Sequence, residues 1–137
     1  MAEVLLDTDI LSNLMRSDPT VVFHAGQYLA KHGRFTFSIL TRYEIWRGLK
    51  AKGATAQEAR FNEFCMRSSI LGLSDAIIEE AAAIYADLYK RGAIIGDADI
   101  LIVATARVHG LIVNTNNRAH FGRVRGIGIT NGLEKNT

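Results

Sequence analysis

Four acidic residues lie where a predicted strand ends, or within or at the start of a predicted helix: Asp7, Glu44, Asp97 and Asp99. In α/β proteins such positions bring distant charges together at one edge of the sheet. A carboxylate cluster repels itself unless a cation occupies it, and oxygen-only ligands favour Mg²⁺ or Mn²⁺. These residue types therefore suggest metal-assisted phosphoryl chemistry.

Each acid also has an ordinary structural explanation. Asp7, between a strand and a helix, is a common N-cap. Of Asp97 and Asp99, one would cap the next helix and the other would lie in its first turn, where the helix dipole favours an acid. Glu44 would pair with Arg47, three residues further on. Their spacing alone leaves these alternatives open.

The elements that would position the acids alternate between strand and helix. Short apolar runs predict strands at residues 3–6, 35–37, 70–71, 111–113 and 127–129. Apolar periodicity and Gly stops predict helices at residues 8–16, 19–33, 39–52, 56–67, 75–91 and 98–109. This alternation predicts an α/β fold with a parallel sheet covered on both faces.

The composition predicts one folded domain over the 137 residues, since 48% are hydrophobic and only one is Pro. The single cysteine, Cys65, has an apolar helical context and is expected to be a buried structural thiol. Asp7 and Asp9 interrupt any signal-peptide core, and no apolar run is long enough for a membrane span. We expect a soluble cytoplasmic protein that does not contact a membrane.

The charge distribution is more informative than the net charge of +2. Residues 20–52 contain one acid, Glu44, and six basic residues: Lys31, Arg34, Arg42, Arg47, Lys50 and Lys52. Residues 100–137 contain one acid, Glu134, and five basic residues: Arg107, Arg118, Arg123, Arg125 and Lys135. Basic surface around an acidic site suits a polyanionic substrate, although ordinary solvated charge is the alternative.

Four segments, in order along the chain, give the pattern its specificity: LLDTDILS (5–12), SILTRYEIWRGL (38–49), IGDADILIVATA (95–106) and HGLIVNTNN (109–117). Together they resemble the motifs of PIN-domain ribonucleases, particularly the VapC toxins of type II toxin–antitoxin pairs. The resemblance implies a PIN-like three-layer α/β/α sandwich with a central parallel sheet, formed by residues 1–137 as a single PIN domain. It also implies a divalent-metal-dependent endoribonuclease that uses Mg²⁺ or Mn²⁺.

The resemblance assigns roles to individual residues. The catalytic, metal-binding acids are Asp7, Glu44 and Asp99. Candidate further ligands are Asp97 and Asn117, the latter at a position where many members have an acid and others have Asn. Supporting polar residues are Thr8, Asp9, Ser12 and Thr115. Candidate contacts with the RNA backbone are Arg42, Arg47, Arg118 and Arg123.

The same resemblance implies partners: an RNA substrate, a cognate VapB-like antitoxin and a second copy of the chain, as a homodimer within a toxin–antitoxin complex. The aromatic residues near Glu44 would either pack in the core or line an antitoxin groove: Phe35, Phe37, Tyr43 and Trp46. The histidines lack zinc-site spacing and are expected at the surface or in caps. His120 is the one that follows a candidate site residue, Asn117, closely.

Two other functions remain as alternatives. Asp7-Thr8-Asp9 resembles the Asp-x-Asp nucleophile of haloacid-dehalogenase-like phosphatases, in which the first Asp attacks phosphate. The second acidic pair expected of that family is missing, because Leu101 stands where its second acid would be. A catalytically weak PIN module that only binds RNA or antitoxin is the non-enzymatic alternative, and the intact set of Asp7, Glu44 and Asp99 argues against it.

Overall fold

A five-stranded, entirely parallel sheet forms the centre of the fold, in the order β3-β2-β1-β4-β5. The structure is a computed structural model that describes residues 3–17 and 19–130. Both ends of the predicted single domain, including Glu134 and Lys135, lie outside the described residues. The strands are β1 Val4–Leu6, β2 Thr36–Ser38, β3 Ser69–Leu71, β4 Ile112–Asn114 and β5 Ile129–Thr130.

Helices cover the sheet on both faces. They are α1 Thr8–Met15, α2 Pro19–His32, α3 Ile39–Ala51, α4 Thr55–Met66, α5 Asp75–Lys90, α6 Asp97–His109 and α7 Arg118–Phe121. Each of the first six begins and ends within about two residues of its predicted bounds. The short helix α7 was not predicted, because four residues show no apolar periodicity.

Side-chain alternation along the central strand produces the two halves of the core. Leu5 and Val113 join an apolar cluster with α5 and α6, whereas Val4 and Leu6 join a second cluster with α1, α2 and α4. All of these strand residues are buried. Because successive strand side chains point to opposite faces, β1 is covered on both sides. The predicted three-layer α/β/α sandwich is confirmed.

The chain order places a topological switch point at β1. From β1 the chain passes to β2 on one side and later returns to β4 on the other. In parallel α/β sheets, ligands bind beyond the carboxyl ends of the strands at such a point. Leu6 pairs in register with both Phe37 and Asn114, so the ends of β1, β2 and β4 are level. The segments after these strands therefore meet at one edge.

Membrane spanning is not a property of the helices seen here. Within residues 3–17 and 19–130, no helix is both long and apolar enough to cross a bilayer.

The thiol of Cys65 is buried, as expected, and burial raises its pKa.

Candidate active site

Asp7 lies at the switch point, with its backbone and side chain both fixed. Its backbone N–H donates to the Asn114 carbonyl (2.9 Å), which continues the pairing of β1 with β4. Its Oδ1 accepts from the Thr8 backbone N–H (2.7 Å), and its Oδ2 accepts from the Thr115 hydroxyl (2.8 Å). Asp7 is thus the N-cap of α1, as its position suggested, and it is also buried, with 5% of its surface exposed. A cap alone does not require such burial.

The environment of Asp7 disfavours its negative charge. Burial, followed by the nearby negative charge of Asp9, raises its pKa from 3.8 to about 7, although the Thr115 and Thr8 hydrogen bonds act in the opposite direction. Asp9 Oδ2 accepts from the Asn116 backbone N–H (3.2 Å). Asp9 Oδ1 is buried and has no hydrogen-bond partner in the described part of the chain. In the described part of the chain, Asp7 therefore lacks a positive charge that would stabilise its ionised form.

Glu44 is connected to the first acidic segment through a threonine. The Thr8 hydroxyl donates to Glu44 Oε1 (2.8 Å) and lies 3.0 Å from the Thr41 hydroxyl, which can donate to it in turn. In the described residues, Glu44 forms no ion pair with Arg47, whose guanidinium instead lies 5.2 Å from the Tyr43 ring centre. The alternative in which Glu44 simply pairs with Arg47 is therefore wrong, and the carboxylate turns towards α1.

Asp99 lies in the first turn of α6, beside a histidine that comes from α7. Its Oδ2 is 3.2 Å from His120 Nδ1, and the same nitrogen is 3.0 Å from Asn117 Nδ2. Gly96 is the N-cap of α6 and provides no side-chain cap, so the expectation that Asp97 or Asp99 caps this helix is wrong. Asp97 is an exposed first-turn acid.

A chain of hydrogen bonds connects the first and third acids. Thr115 donates its hydroxyl proton to Asp7 and accepts from the Asn117 backbone N–H (2.9 Å). Asn117 in turn caps α7 by accepting from the His120 backbone N–H (3.4 Å), and His120 lies against Asp99. The segment after β4 therefore connects α1 to α6 through hydrogen bonds of Thr115 and Asn117, which belong to the fourth motif, and of His120, which follows it.

The donor set fits an oxygen-preferring divalent cation. Among the described residues, no three His, Cys, Asp or Glu side chains lie close enough together to hold a metal ion by themselves. Mg²⁺, however, is commonly held by one or two carboxylates, with waters and substrate phosphates completing its coordination. The unpartnered Asp9 Oδ1 and the raised pKa of Asp7 mark a place where a cation would be stabilising.

A groove of about 320 Å³ runs from Glu44 between α1, α3 and α4. Its floor is partly apolar, and its lining includes Ser12 and three basic residues, Arg16, Lys52 and Arg60. Sequence reasoning missed these three cations as a group, because they come from different helices and meet only through helix packing. Ser12, expected beside the first acid, lies in this groove together with Glu44.

Three of the four arginines expected to contact RNA have other contacts in the structure. The guanidinium of Arg42 lies 4.6 Å from the Trp46 ring centre and interacts with the Cys65 thiol. Arg123 donates to the Ile94 carbonyl (3.0 Å), which fixes the loop before α6. Arg118 is exposed at the start of α7. RNA binding by these arginines and by Arg47 stays a prediction.

The aromatic residues near Glu44 divide into two groups. Phe35 and Phe37 are buried in the core, as the packing interpretation predicted. Tyr43 is exposed (58%), and Trp46 is partly buried, with its indole N–H donating to Glu58 (2.6 Å). Only the second pair is available to a partner.

Sequence comparison shows which known proteins this chain is similar to. The sequence model of the PIN domain family matches residues 4–127. The chain is 30% identical to ribonuclease VapC1 of Methanocaldococcus jannaschii over 128 residues, covering 93% of this chain and 85% of that protein. It is 29% identical to the tRNA(fMet)-specific endonuclease VapC of Shigella flexneri, covering 93% of this chain and 96% of that protein.

The solved structures lead to the same class of protein. The DNA-bound VapBC structure from Salmonella typhimurium matches with a TM-score of 0.85 at 26% identity, covering 96% of this chain and 99% of the matched one. The parallel sheet and its flanking helices are thus shared with a solved VapBC structure. The chain belongs to the PIN domain family and, within it, to the VapC ribonucleases.

Proposed function

We propose that this protein is a divalent-metal-dependent endoribonuclease that acts as the toxin of a toxin–antitoxin pair. The observation that carries the proposal is Asp7, a buried carboxyl group at the switch point whose ionised form a cation would stabilise. VapC ribonucleases generally depend on divalent metals, and the oxygen-only donors here suit Mg²⁺ or Mn²⁺.

Asp7, Glu44 and Asp99 are the residues that would hold the cation, one or two of them directly and the rest through waters in its coordination shell, with Asp97 and Asn117 as candidate further ligands. When bound, a divalent ion would make a water molecule more nucleophilic and offset charge on the phosphodiester. The chain itself supplies orientation. Thr115 holds Asp7 and Thr8 holds Glu44 by hydroxyl donation, so both carboxylates are fixed before substrate arrives.

Three basic side chains would bind the RNA backbone where it extends away from the acids: Arg16, Lys52 and Arg60. They line the groove that has Glu44 on its wall. An RNA backbone in this groove would have phosphates beside these basic side chains, and one phosphate would reach the acidic cluster. Arg118, exposed next to Asn117, would be a further contact for the phosphates. Such contacts are independent of base sequence, so they position the RNA without selecting it.

The partners follow from the family. We infer that a small VapB-like antitoxin binds and silences the protein, that the chain forms a homodimer within that complex, and that it acts in the cytoplasm, where its RNA substrate is found. Similar structures are VapBC complexes, some of them bound to DNA.

Purified protein tests the enzyme proposal. It should cleave RNA with Mg²⁺ or Mn²⁺ and stop when EDTA is added, while p-nitrophenyl phosphate is left intact. Undiminished cleavage in EDTA would refute metal dependence. Phosphatase turnover without RNA cleavage would favour the dehalogenase-like alternative instead.

Expression in a bacterium tests the toxin proposal. The chain alone should arrest growth and generate new RNA ends, which sequencing would locate on transfer, ribosomal or messenger RNA. Co-expression of the small reading frame beside its gene should restore growth, and the two proteins should co-purify. Harmless expression of protein that cleaves RNA in vitro would refute the toxin role while leaving the ribonuclease role intact.

A further inference from the structure

We propose that His120 is a positioning residue that holds Asp99 for the cation by donating its Nδ1 proton to Asp99 Oδ2. The inference deepens the proposed function and rests on it. The contact joins two separate elements, since Asp99 lies in the first turn of α6 and His120 lies in α7, and the atoms are 3.2 Å apart. Neither residue's position in the sequence reveals the contact.

The tautomer of His120 follows from the neighbouring acceptor. Asp99 offers only oxygen lone pairs, so its contact with Nδ1 is stabilising only when Nδ1 carries the proton. Asn117 also reaches Nδ1, at 3.0 Å. If its amide oxygen rather than its nitrogen faces the imidazole, both neighbours accept from the same N–H. Turning the amide in this way gives up the long (3.4 Å) cap bond from the His120 backbone N–H. The charge-assisted bond to Asp99 is the stronger of the two.

The bond leaves one oxygen of Asp99 available. Within the described residues, Asp99 Oδ1 accepts no hydrogen bond, and the side chain is 25% exposed. A carboxylate fixed at one oxygen and open at the other is pre-oriented for a cation. Outer partners of this kind typically contribute about 10- to 100-fold to metal affinity or activity.

Three substitutions of His120 separate positioning from simple packing. Asparagine places an N–H close to the position of Nδ1, glutamine places one close to that of Nε2, and alanine removes both. The probe is Mn²⁺ alone, titrated into RNA-free wild-type and variant protein, with free Mn²⁺ followed by electron paramagnetic resonance. Thermal unfolding of each variant reports on the fold, and little change is expected because the His120 side chain is 44% exposed.

We expect His120→Ala to weaken Mn²⁺ binding about 10- to 100-fold. His120→Asn should regain most of that loss, and His120→Gln should regain little. His109, exposed in the last turn of α6, is the matched control, and His109→Ala should bind Mn²⁺ as wild type does.

Two results would overturn the inference: Mn²⁺ affinity of His120→Ala equal to wild type, or rescue by Gln that equals rescue by Asn. Asp99→Asn separates this failure from failure of the proposed function. If Asp99→Asn loses Mn²⁺ affinity while His120→Ala keeps it, only the role of His120 is wrong. If Asp99→Asn also keeps it, the proposed metal site itself is wrong.

Discussion

Replacing Asp7 by Asn should stabilise the metal-free protein at neutral and alkaline pH. The unfolded carboxyl group loses its proton near pH 3.8, whereas the folded one, raised by burial and by Asp9, keeps it until about pH 7. Between these values the unfolded state binds fewer protons, so the free energy of unfolding of the wild type falls as pH rises. The loss is complete above about pH 7, where Asp7 is ionised in both states.

The size of the stability loss follows from the pH range between the two pKa values of Asp7. One pH unit corresponds to about 1.4 kcal/mol for one proton, so Asp7 should remove roughly 2 to 3 kcal/mol of stability between pH 5 and pH 7. Asparagine keeps the shape of the side chain, can accept from the Thr8 N–H and can donate to the Thr115 hydroxyl. Asp7→Asn therefore removes the charge with few other changes.

Urea unfolding of the EDTA-treated proteins at pH 5, 6, 7 and 8 measures the effect. The stability advantage of Asp7→Asn should grow by roughly 2 to 3 kcal/mol across this range and level off above pH 7. Saturating Mn²⁺ should shrink this advantage, because only the wild type gains binding energy from the ion, about 2.7 kcal/mol at 100 times its Kd. Glu63→Gln, an exposed change on α4, is the control. Parallel pH curves for wild type and Asp7→Asn would refute the reasoning.

Three further substitutions test other contacts of the site. Thr115→Val removes a hydrogen bond that lowers the pKa of Asp7, so Mn²⁺ titrations at pH 7 should show weaker binding, and unchanged affinity would contradict this. Thr8→Val removes the hydroxyl donated to Glu44, and we expect urea unfolding to show a loss of about 1 kcal/mol together with slower RNA cleavage. Asp97→Ala should change stability by less than about 0.5 kcal/mol, because the residue makes no capping hydrogen bond, and a larger loss in thermal unfolding would show that it stabilises α6.

The sheet could be predicted from the sequence because each central strand is a short apolar run between helices of clear periodicity. Parallel strands place the segments after β1 and β4 at the same edge of the sheet, and the family resemblance assigned Asp7 and Thr115 to the site. The residue that faces Asp99 could not be predicted. That contact depends on α7, a helix too short to show a pattern, whose start is set by the Asn117 cap.

Side-chain partners were harder to predict than strands. Spacing along α3 favoured Arg47 as the partner of Glu44, but packing of α1 against α3 brings the Thr8 hydroxyl closer. An acid at the start of α6 suggested a cap, but the cap position is one residue earlier, at Gly96. Both errors arise because local spacing says nothing about where a neighbouring element lies.

The central claim is that Asp7, Glu44 and Asp99 form one cation-dependent site that hydrolyses RNA. The most direct test is the rate of RNA cleavage at saturating Mn²⁺ by Asp7→Asn, Glu44→Gln and Asp99→Asn, each first shown to be folded, with Glu63→Gln as the control. The rate of each site variant should fall on the order of 100-fold or more, since even outer partners of a ligand contribute about 10- to 100-fold. The control should cleave as wild type does. Cleavage at the wild-type rate by any folded site variant would contradict the account.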